Sequence, residues 1–199
     1  MEGCLQPKVS AIILAAGFSR RFSGRMGQDK LLLDYRGKTL LQCAVDLCNG
    51  LPVFEKILVT TSVRLEKLSL PPGVLTVVNE KPDLGMSESL RLGVFAAAGD
   101  AYLFMAADQP KLSSKALLTM INKAMRNPDK IIHPLIEGKP CMPALFPSCF
   151  REELLNLTGD IGGRAVRIAH PEACLAFDAG NPEEYMDIDS EEDYTSLLA

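Results

Sequence analysis

The chain has 199 residues, 47% of them hydrophobic and 23% charged, with a formal net charge of −4. That size and balance fit one ordinary domain and exclude a disordered chain. No apolar run reaches the roughly 18 residues that span a bilayer, and Lys and Arg fall singly or in pairs, which argues against a broad phosphate-tracking face for nucleic acid.

In chain order, residues 1–10 lack the basic-then-apolar layout of a secretory signal, so a cytoplasmic address is expected. Val9 to Ala15 is a short apolar run stopped by Ala16-Gly17, the pattern of a buried strand. Residues 17–39 are rich in Gly, Ser, Arg and Lys and read as loop; Leu40, Leu41, Ala44, Val45, Leu47 and Cys48 then follow at helical spacing. Strands are predicted over Lys56 to Thr61 and Val74 to Val78, each leaving room for a connecting segment, the alternation of an α/β layer structure. Met86 to Ala98 reads as a helix that its N-terminal serines could cap. Ala101 to Ala106 is the most apolar strand candidate, and Pro110 forbids its continuation, so Asp108 sits just past its C-terminal end. A helix over Ser113 to Arg126 is followed by strands over Lys130 to Ile136 and Ala144 to Phe146, around a Gly-Lys-Pro turn. Short helices over Glu152 to Leu157 and Arg164 to Ala169, a brief strand over Asp187 to Asp189 and a helix over Glu191 to Leu198 complete the pattern.

Ligands of such sheets lie outside the carboxyl ends of the strands, which singles out residues 16–30 and 107–112. In the first of these, small residues directly after a strand let backbone N–H groups approach an anion. Arg21, Arg25 and Lys30 add charge-assisted donors suited to a polyphosphate. On composition alone, a solvated basic loop fits equally well. Gly37-Lys38-Thr39 looks like the end of a Walker A loop, but the glycine required five positions earlier is Leu32, so the triplet reads as a turn and helix start. The fingerprint G-x-G-x-x-G is also missing after the first strand, which removes the main support for a nicotinamide dehydrogenase.

Six cysteines (Cys4, Cys43, Cys48, Cys141, Cys149 and Cys174) are scattered without a C-x-x-C pair and read as reduced thiols. His133 and His170 are the only histidines, too few for a multi-histidine metal site. Chemistry is left to carboxylates, Lys, Arg and metal. Asp108 is the best single metal-ligand candidate, because Mg²⁺ is typically held by only one or two carboxylates plus water and phosphate oxygens. A second carboxylate could come from Asp187-Ile188-Asp189, where a strand's period of two turns both acids to one side and Ile188 to the other. The same acids also suit a capping stretch before Glu191, Glu192 and Asp193.

Several of these residues fall into a recognisable series. Leu14-Ala15-Ala16-Gly17-x-Ser19-x-Arg21, Met26-Gly27-x-x-Lys30, Gly85-Met86-Ser87-x-Ser89-Leu90, Asp108-Gln109-Pro110, Gly159-Asp160-x-Gly162-Gly163-Arg164 and Asp187-Ile188-Asp189 with Glu192-Asp193 occur in that order. Together they resemble the MobA-like nucleotidyltransferases, most closely the molybdenum cofactor cytidylyltransferase branch, over nearly the full chain. The resemblance implies a three-layer, Rossmann-like nucleotidyltransferase fold (GT-A-like) with a mostly parallel central sheet, formed by residues 1–199 as one domain. It also implies Mg²⁺ dependence and transfer of a nucleoside monophosphate from an NTP to a phosphorylated acceptor with release of pyrophosphate.

Carried over position by position, Leu14, Ala15, Ala16, Gly17, Ser19, Arg21 and Lys30 bind the nucleotide, with Arg21 and Lys30 also catalytic. Ser87 and Ser89 also belong to the binding set, Ser89 helping to read the pyrimidine. Asp108 and Asp189 hold the metal, Asp108 being catalytic as well. Leu-Ala-Ala-Gly resembles the cytidine-using version of the first loop, which makes CTP the expected donor. The expected acceptor is molybdopterin carrying molybdenum, whose pterin or phosphate Gly162, Gly163 and Arg164 could meet, although these residues suit a glycine turn opening a helix equally well, and the expected protein partner is a molybdoenzyme or its chaperone. Between Arg21 and Met26 this chain carries Phe22-Ser23-Gly24-Arg25, about four residues more than the usual spacing, so Arg20, Arg21 and Arg25 all remain candidates for phosphate. Where relatives commonly show Gly-His-Pro it has Cys141-Met142-Pro143. Two rival readings are a cytidylyltransferase for a sugar or polyol phosphate, of the isoprenoid-precursor type, and a non-catalytic cofactor-handling chaperone.

Overall fold

The computed structural model of the chain describes residues 7–17 and 29–198. After β1 (Val9–Ala15), the hairpin of β2 (Asp34–Tyr35) and β3 (Lys38–Thr39) leads into α1 (Leu40–Asn49), β4 (Glu55–Thr60), α2 (Ser62–Leu65), β5 (Val74–Val78) and α3 (Met86–Ala96). Next come β6 (Ala101–Ala106), α4 (Ser114–Arg126), β7 (Ile131–Ile136), β8 (Lys139–Pro140) and β9 (Ala144–Pro147). The last elements are α5 (Arg151–Leu155), α6 (Arg164–Ala169), β10 (Cys174–Asp178) and α7 (Glu191–Leu198). No helix among the described residues is long and apolar enough to cross a membrane.

The central sheet runs in the order β10-β7-β9-β6-β1-β4-β5, with β8 on β7. It is mostly parallel, β9 running against both β6 and β7. The alternation of β1 explains the layering. Ala11 and Ile13 face a core shared with Leu41, Val45 and Cys48 of α1 and Leu117, Met120 and Ile121 of α4. Ile12 faces the opposite core with Leu90 and Val94 of α3, Leu154 of α5 and Val166 of α6. Both faces of β1 are therefore covered, and fully burying each such Ile or Leu contributes about 1.5–3 kcal/mol. Because β1, β4 and β6 are parallel, their C-terminal ends open on one edge of the sheet.

Side-chain caps start the helices where spacing placed them: Thr39 Oγ1 accepts from the Gln42 amide, and Ser113 Oγ from the Ala116 amide. Three expectations need correction, and one strand lies beyond them. Part of the 17–39 stretch forms the β2–β3 hairpin, because Arg36 (φ 56°) and Gly37 (φ 81°) take the paired positive φ of a two-residue turn. No serine caps α3; its N-cap is Gly85 at φ 93°. Residues 187–189 are not a strand, since this stretch is tied down by a backbone bond from the Ile188 amide to the Asp108 carbonyl rather than by a ladder. Finally, β10 is an unanticipated parallel partner of β7 at the sheet edge, where its partial exposure leaves no strong apolar pattern.

Candidate active site

Lys30 begins a single helical turn, capped by Asp29, whose Oδ1 accepts from the Leu31 amide at 3.1 Å. The turn buries Leu31 and sends the Lys30 ammonium between two carboxylates. Nζ lies 2.7 Å from Asp108 Oδ2 and 2.9 Å from Asp189 Oδ1. Asp108 follows β6, and Asp189 is delivered by the strap of residues 186–190. Ile188 anchors that strap from the far side, fully buried with Tyr35, Leu40 and Leu197. Asp193 fastens the next turn by accepting from the Asp189 and Ser190 amides. Burial works to lower the Lys30 pKa, but the Asp108 and then the Asp189 carboxylate outweigh it and hold the ammonium above its ordinary value. Asp187 lines the cleft beside the pair. Desolvation by its surroundings, then the Asp108 and Asp189 carboxylates, push its carboxyl up to about 7.

These groups line one end of a cleft of about 670 Å³. Leu14 and Gly17 form its floor at the end of β1, and Ser89, Gly85 and Met86 of α3 and its N-cap form one wall. Met142, Gly159 and Asp160 border it as well. Among the described residues, a methyl added at Gly17 would meet nothing within 4 Å, so none of them fills the floor beside Lys30. Neither the Ala16 nor the Gly17 amide has an acceptor among the described residues. Ser89 Oγ accepts from Asn79 Nδ2 at 3.0 Å, which leaves its hydroxyl proton for an acceptor in the cleft.

Of the residues singled out in the sequence, the cleft brings together Leu14, Gly17, Lys30, Ser89, Asp108 and Asp189, with Ala15 and Ala16 buried directly behind. Ser87 is turned away from it. Its hydroxyl donates to the Gly159 carbonyl at 2.6 Å, so it latches α3 to the 159–160 turn. Gly162, Gly163 and Arg164 also lie off the lining. Gly163 is needed for packing, since a Cβ there would stand 2.7 Å from the Phe146 ring, and Gly162 abuts the Met86 sulfur in the same way. Arg164 is exposed. Ser19, Arg20, Arg21 and Arg25 lie outside the described residues, as does Cys4. The described cysteines are free thiols, and burial pushes Cys48 up to about 12 and Cys141 to about 11, which keeps both protonated.

Two contributors escaped the sequence reading. Arg64, buried after β4, donates to the Ala15 carbonyl (2.6 Å), the Gly17 carbonyl (3.0 Å) and both oxygens of Asp29. Its signal was a lone arginine following a strand, indistinguishable from a surface charge. Gln109 is likewise buried; its Nε2 donates to the carbonyls of Tyr185 (2.9 Å) and Met142 (3.2 Å), joining the strap to the Met142 wall.

Comparison with known proteins gives the family of the chain. Residues 11–174 match the model of the MobA-like NTP transferase domain. A protein of Natranaerobius thermophilus named probable molybdenum cofactor guanylyltransferase is 27% identical over 156 residues, covering 74% of this chain and 73% of that protein. A nucleotidyl transferase from Methanothermobacter superposes with a TM-score of 0.78 at 25% identity, covering 96% of this chain and 95% of that one. Rv0371C of Mycobacterium tuberculosis H37Rv, solved in complex with manganese, shares the fold with a TM-score of 0.75 at 24% identity, over 96% of this chain and 98% of that one. With a nucleotidyltransferase fold, a strand-end cleft and a family match over most of its length, the chain belongs to the MobA-like NTP transferase domain family.

Proposed function

We propose that the chain transfers CMP from CTP to the terminal phosphate of molybdopterin, releasing pyrophosphate. The observation that carries this reading is the convergence of Asp108 and Asp189 on the Lys30 ammonium, beside the floor at Gly17. Two hard carboxylates already arranged around a cation fit a divalent ion such as Mg²⁺, whose shell water and phosphate oxygens would complete. Among the described residues no group of three ligating side chains exists, and none is needed for an ion shared with a triphosphate. When bound there, the ion supplies neutralisation of the triphosphate and of the leaving pyrophosphate; the manganese in the Rv0371C structure accords with a site of this kind.

The chain's own groups do the rest. Phosphoryl-type transfer calls for in-line positioning and charge cancellation more than covalent help. An acceptor phosphate oxygen forms a bond to the α-phosphorus, and the bond from that phosphorus to the oxygen bridging the β-phosphorus breaks. A phosphate monoester is largely ionised near neutral pH, so no general base is required. Lys30, kept charged by its surroundings, offsets the negative charge developing on the pyrophosphate. The amides of Ala16 and Gly17 are available for phosphate oxygens, and the Ser89 hydroxyl for an acceptor on the base edge. The Met142, Gly159 and Asp160 side is left for the acceptor.

Molybdopterin as acceptor is supported by the name of the Natranaerobius relative, and CTP by the resemblance of Leu14-Ala15-Ala16-Gly17 to the cytidine-using loop. That same relative's name favours GTP as a second reading. Incubation with each of the four NTPs, Mg²⁺ and molybdopterin or a polyol phosphate, followed by mass analysis, decides between them. A CMP adduct of molybdopterin with pyrophosphate release is expected. A GMP adduct moves the donor to GTP, and an adduct on the polyol phosphate alone overturns the acceptor. Nucleotide binding without any adduct leaves a carrier.

A further inference from the structure

Arg64 is 5% exposed, a place a guanidinium occupies only when its donors are satisfied. Its partners lie on both sides of residues 18–28: the Ala15 and Gly17 carbonyls before that segment and the Asp29 carboxylate after it. No other described side chain bonds to both ends. The consequences reach the cleft by two routes. A trans peptide points its N–H opposite to its carbonyl, so fixing the Ala15 carbonyl on Arg64 fixes the direction of the Ala16 amide. At the other end, Asp29 caps the turn that carries Lys30, so a restrained Asp29 restrains the base of the Lys30 side chain.

Resting on the nucleotide-transfer reading, we propose that Arg64 is a positioning residue for the triphosphate. Its guanidinium staples Gly17 to Asp29 and thereby holds the β1-end amides and Lys30 in one register before nucleotide arrives. The guanidinium fork matters because one flat group satisfies two carbonyls and a carboxylate at once, whereas a lysine ammonium would be a single point donor. Positive charge on the carbonyl side of these peptides also offsets two oxygens that would otherwise repel an incoming anion.

Two variants test the staple. Arg64→Lys keeps the charge and loses the fork; Asp29→Asn leaves the carbonyl bonds of Arg64 in place and weakens only the far end. Calorimetric titration with Mg·CTP and Mg·GTP is paired with thermal unfolding and with hydrogen exchange of residues 29–32 in the absence of nucleotide. Both variants are expected to bind their preferred triphosphate about tenfold more weakly, the loss of roughly one charge-assisted hydrogen bond. Their KM for nucleotide should rise with kcat recovered at saturation. In Asp29→Asn, exchange at 29–32 should quicken while the amides of β1, β4 and β6 keep their protection, which separates a local loosening from the general loss of stability expected when a buried charge loses its partner. Unchanged nucleotide affinity in Asp29→Asn overturns the positioning role, whether or not Arg64→Lys folds. If the unaltered chain binds neither Mg·CTP nor Mg·GTP, the transfer reading itself has failed, and the exchange measurement alone then judges the staple, unchanged exchange overturning it.

Discussion

The Ile188 amide donates to the Asp108 carbonyl at 3.0 Å. That backbone bond ties the strap carrying Asp187 and Asp189 to the end of β6, so the carboxylate pair is set by main chain and by the burial of Ile188, independently of what the acid side chains hold. Asp108→Ala should therefore keep its fold, shown by an unchanged circular dichroism spectrum and an unfolding temperature within a few degrees. Pyrophosphate release should fall by about 10²-fold or more, the scale seen when an electrostatic stabiliser of a transition state is removed. Full activity would remove Asp108 from the chemistry.

Lys30→Met separates two roles of one side chain. Asp108 and Asp189, which hold the ammonium, are also the residues that would hold a divalent ion, so the two cations would compete. Removing the charge should weaken triphosphate binding while strengthening the binding of Mn²⁺ alone, each by roughly tenfold. Titration with Mn²⁺ and with Mg·CTP or Mg·GTP reads both; a parallel loss of the two affinities would contradict the competition.

Two glycines of the cleft should respond in opposite ways. At Gly85 a Cβ would stand 2.6 Å from the Gly159 backbone, at φ +93°. Gly85→Ala should cost about 1–3 kcal/mol of stability and loosen the 159–160 turn. At Gly17 no described atom stands within 4 Å of an added methyl, which would take the space proposed for phosphate. Gly17→Ala should unfold at the parent temperature yet bind triphosphate more weakly, as chemical denaturation and calorimetry can establish.

The stability of the molecule should also depend on acid through His133. Burial in β7 holds its imidazole below the usual histidine pKa, and the neighbouring Arg167 works in the same direction. The unfolded chain therefore takes up this proton before the folded one does. Stability contributed by the neutral ring is complete above about pH 6.5 and falls as pH drops from there through the lower folded-state pKa. In denaturation curves from pH 7.5 to 5, His133→Gln should lose less stability on acidification than the parent.

Much of this architecture is legible before any coordinates. Val9–Ala15, Val74–Val78 and Ala101–Ala106 are apolar runs with clear stops, and each forms a strand over those residues. The expected side-by-side placement of Asp187 and Asp189 also holds, with Ile188 turned into the core, although the backbone achieves it without a ladder. Long-range satisfaction is what periodicity cannot convey. Nothing local distinguishes Arg64 from a solvated arginine, because its partners are carbonyls and one acid brought in by the fold. Ser87 and Ser89 differ for the same kind of reason: a helical pattern says they face different ways, and only the neighbouring 159–160 turn decides which of them meets the cleft.

The Lys30–Asp189 contact spans 159 positions of chain, and this has a consequence during synthesis. A ribosome releases Lys30 and Asp108 well before Asp189, so a nascent chain presents one carboxylate of the pair until residue 189 has emerged. On the proposed reading, the surroundings of Lys30 are complete only once the strap of residues 186–190 has emerged and docked on Asp108.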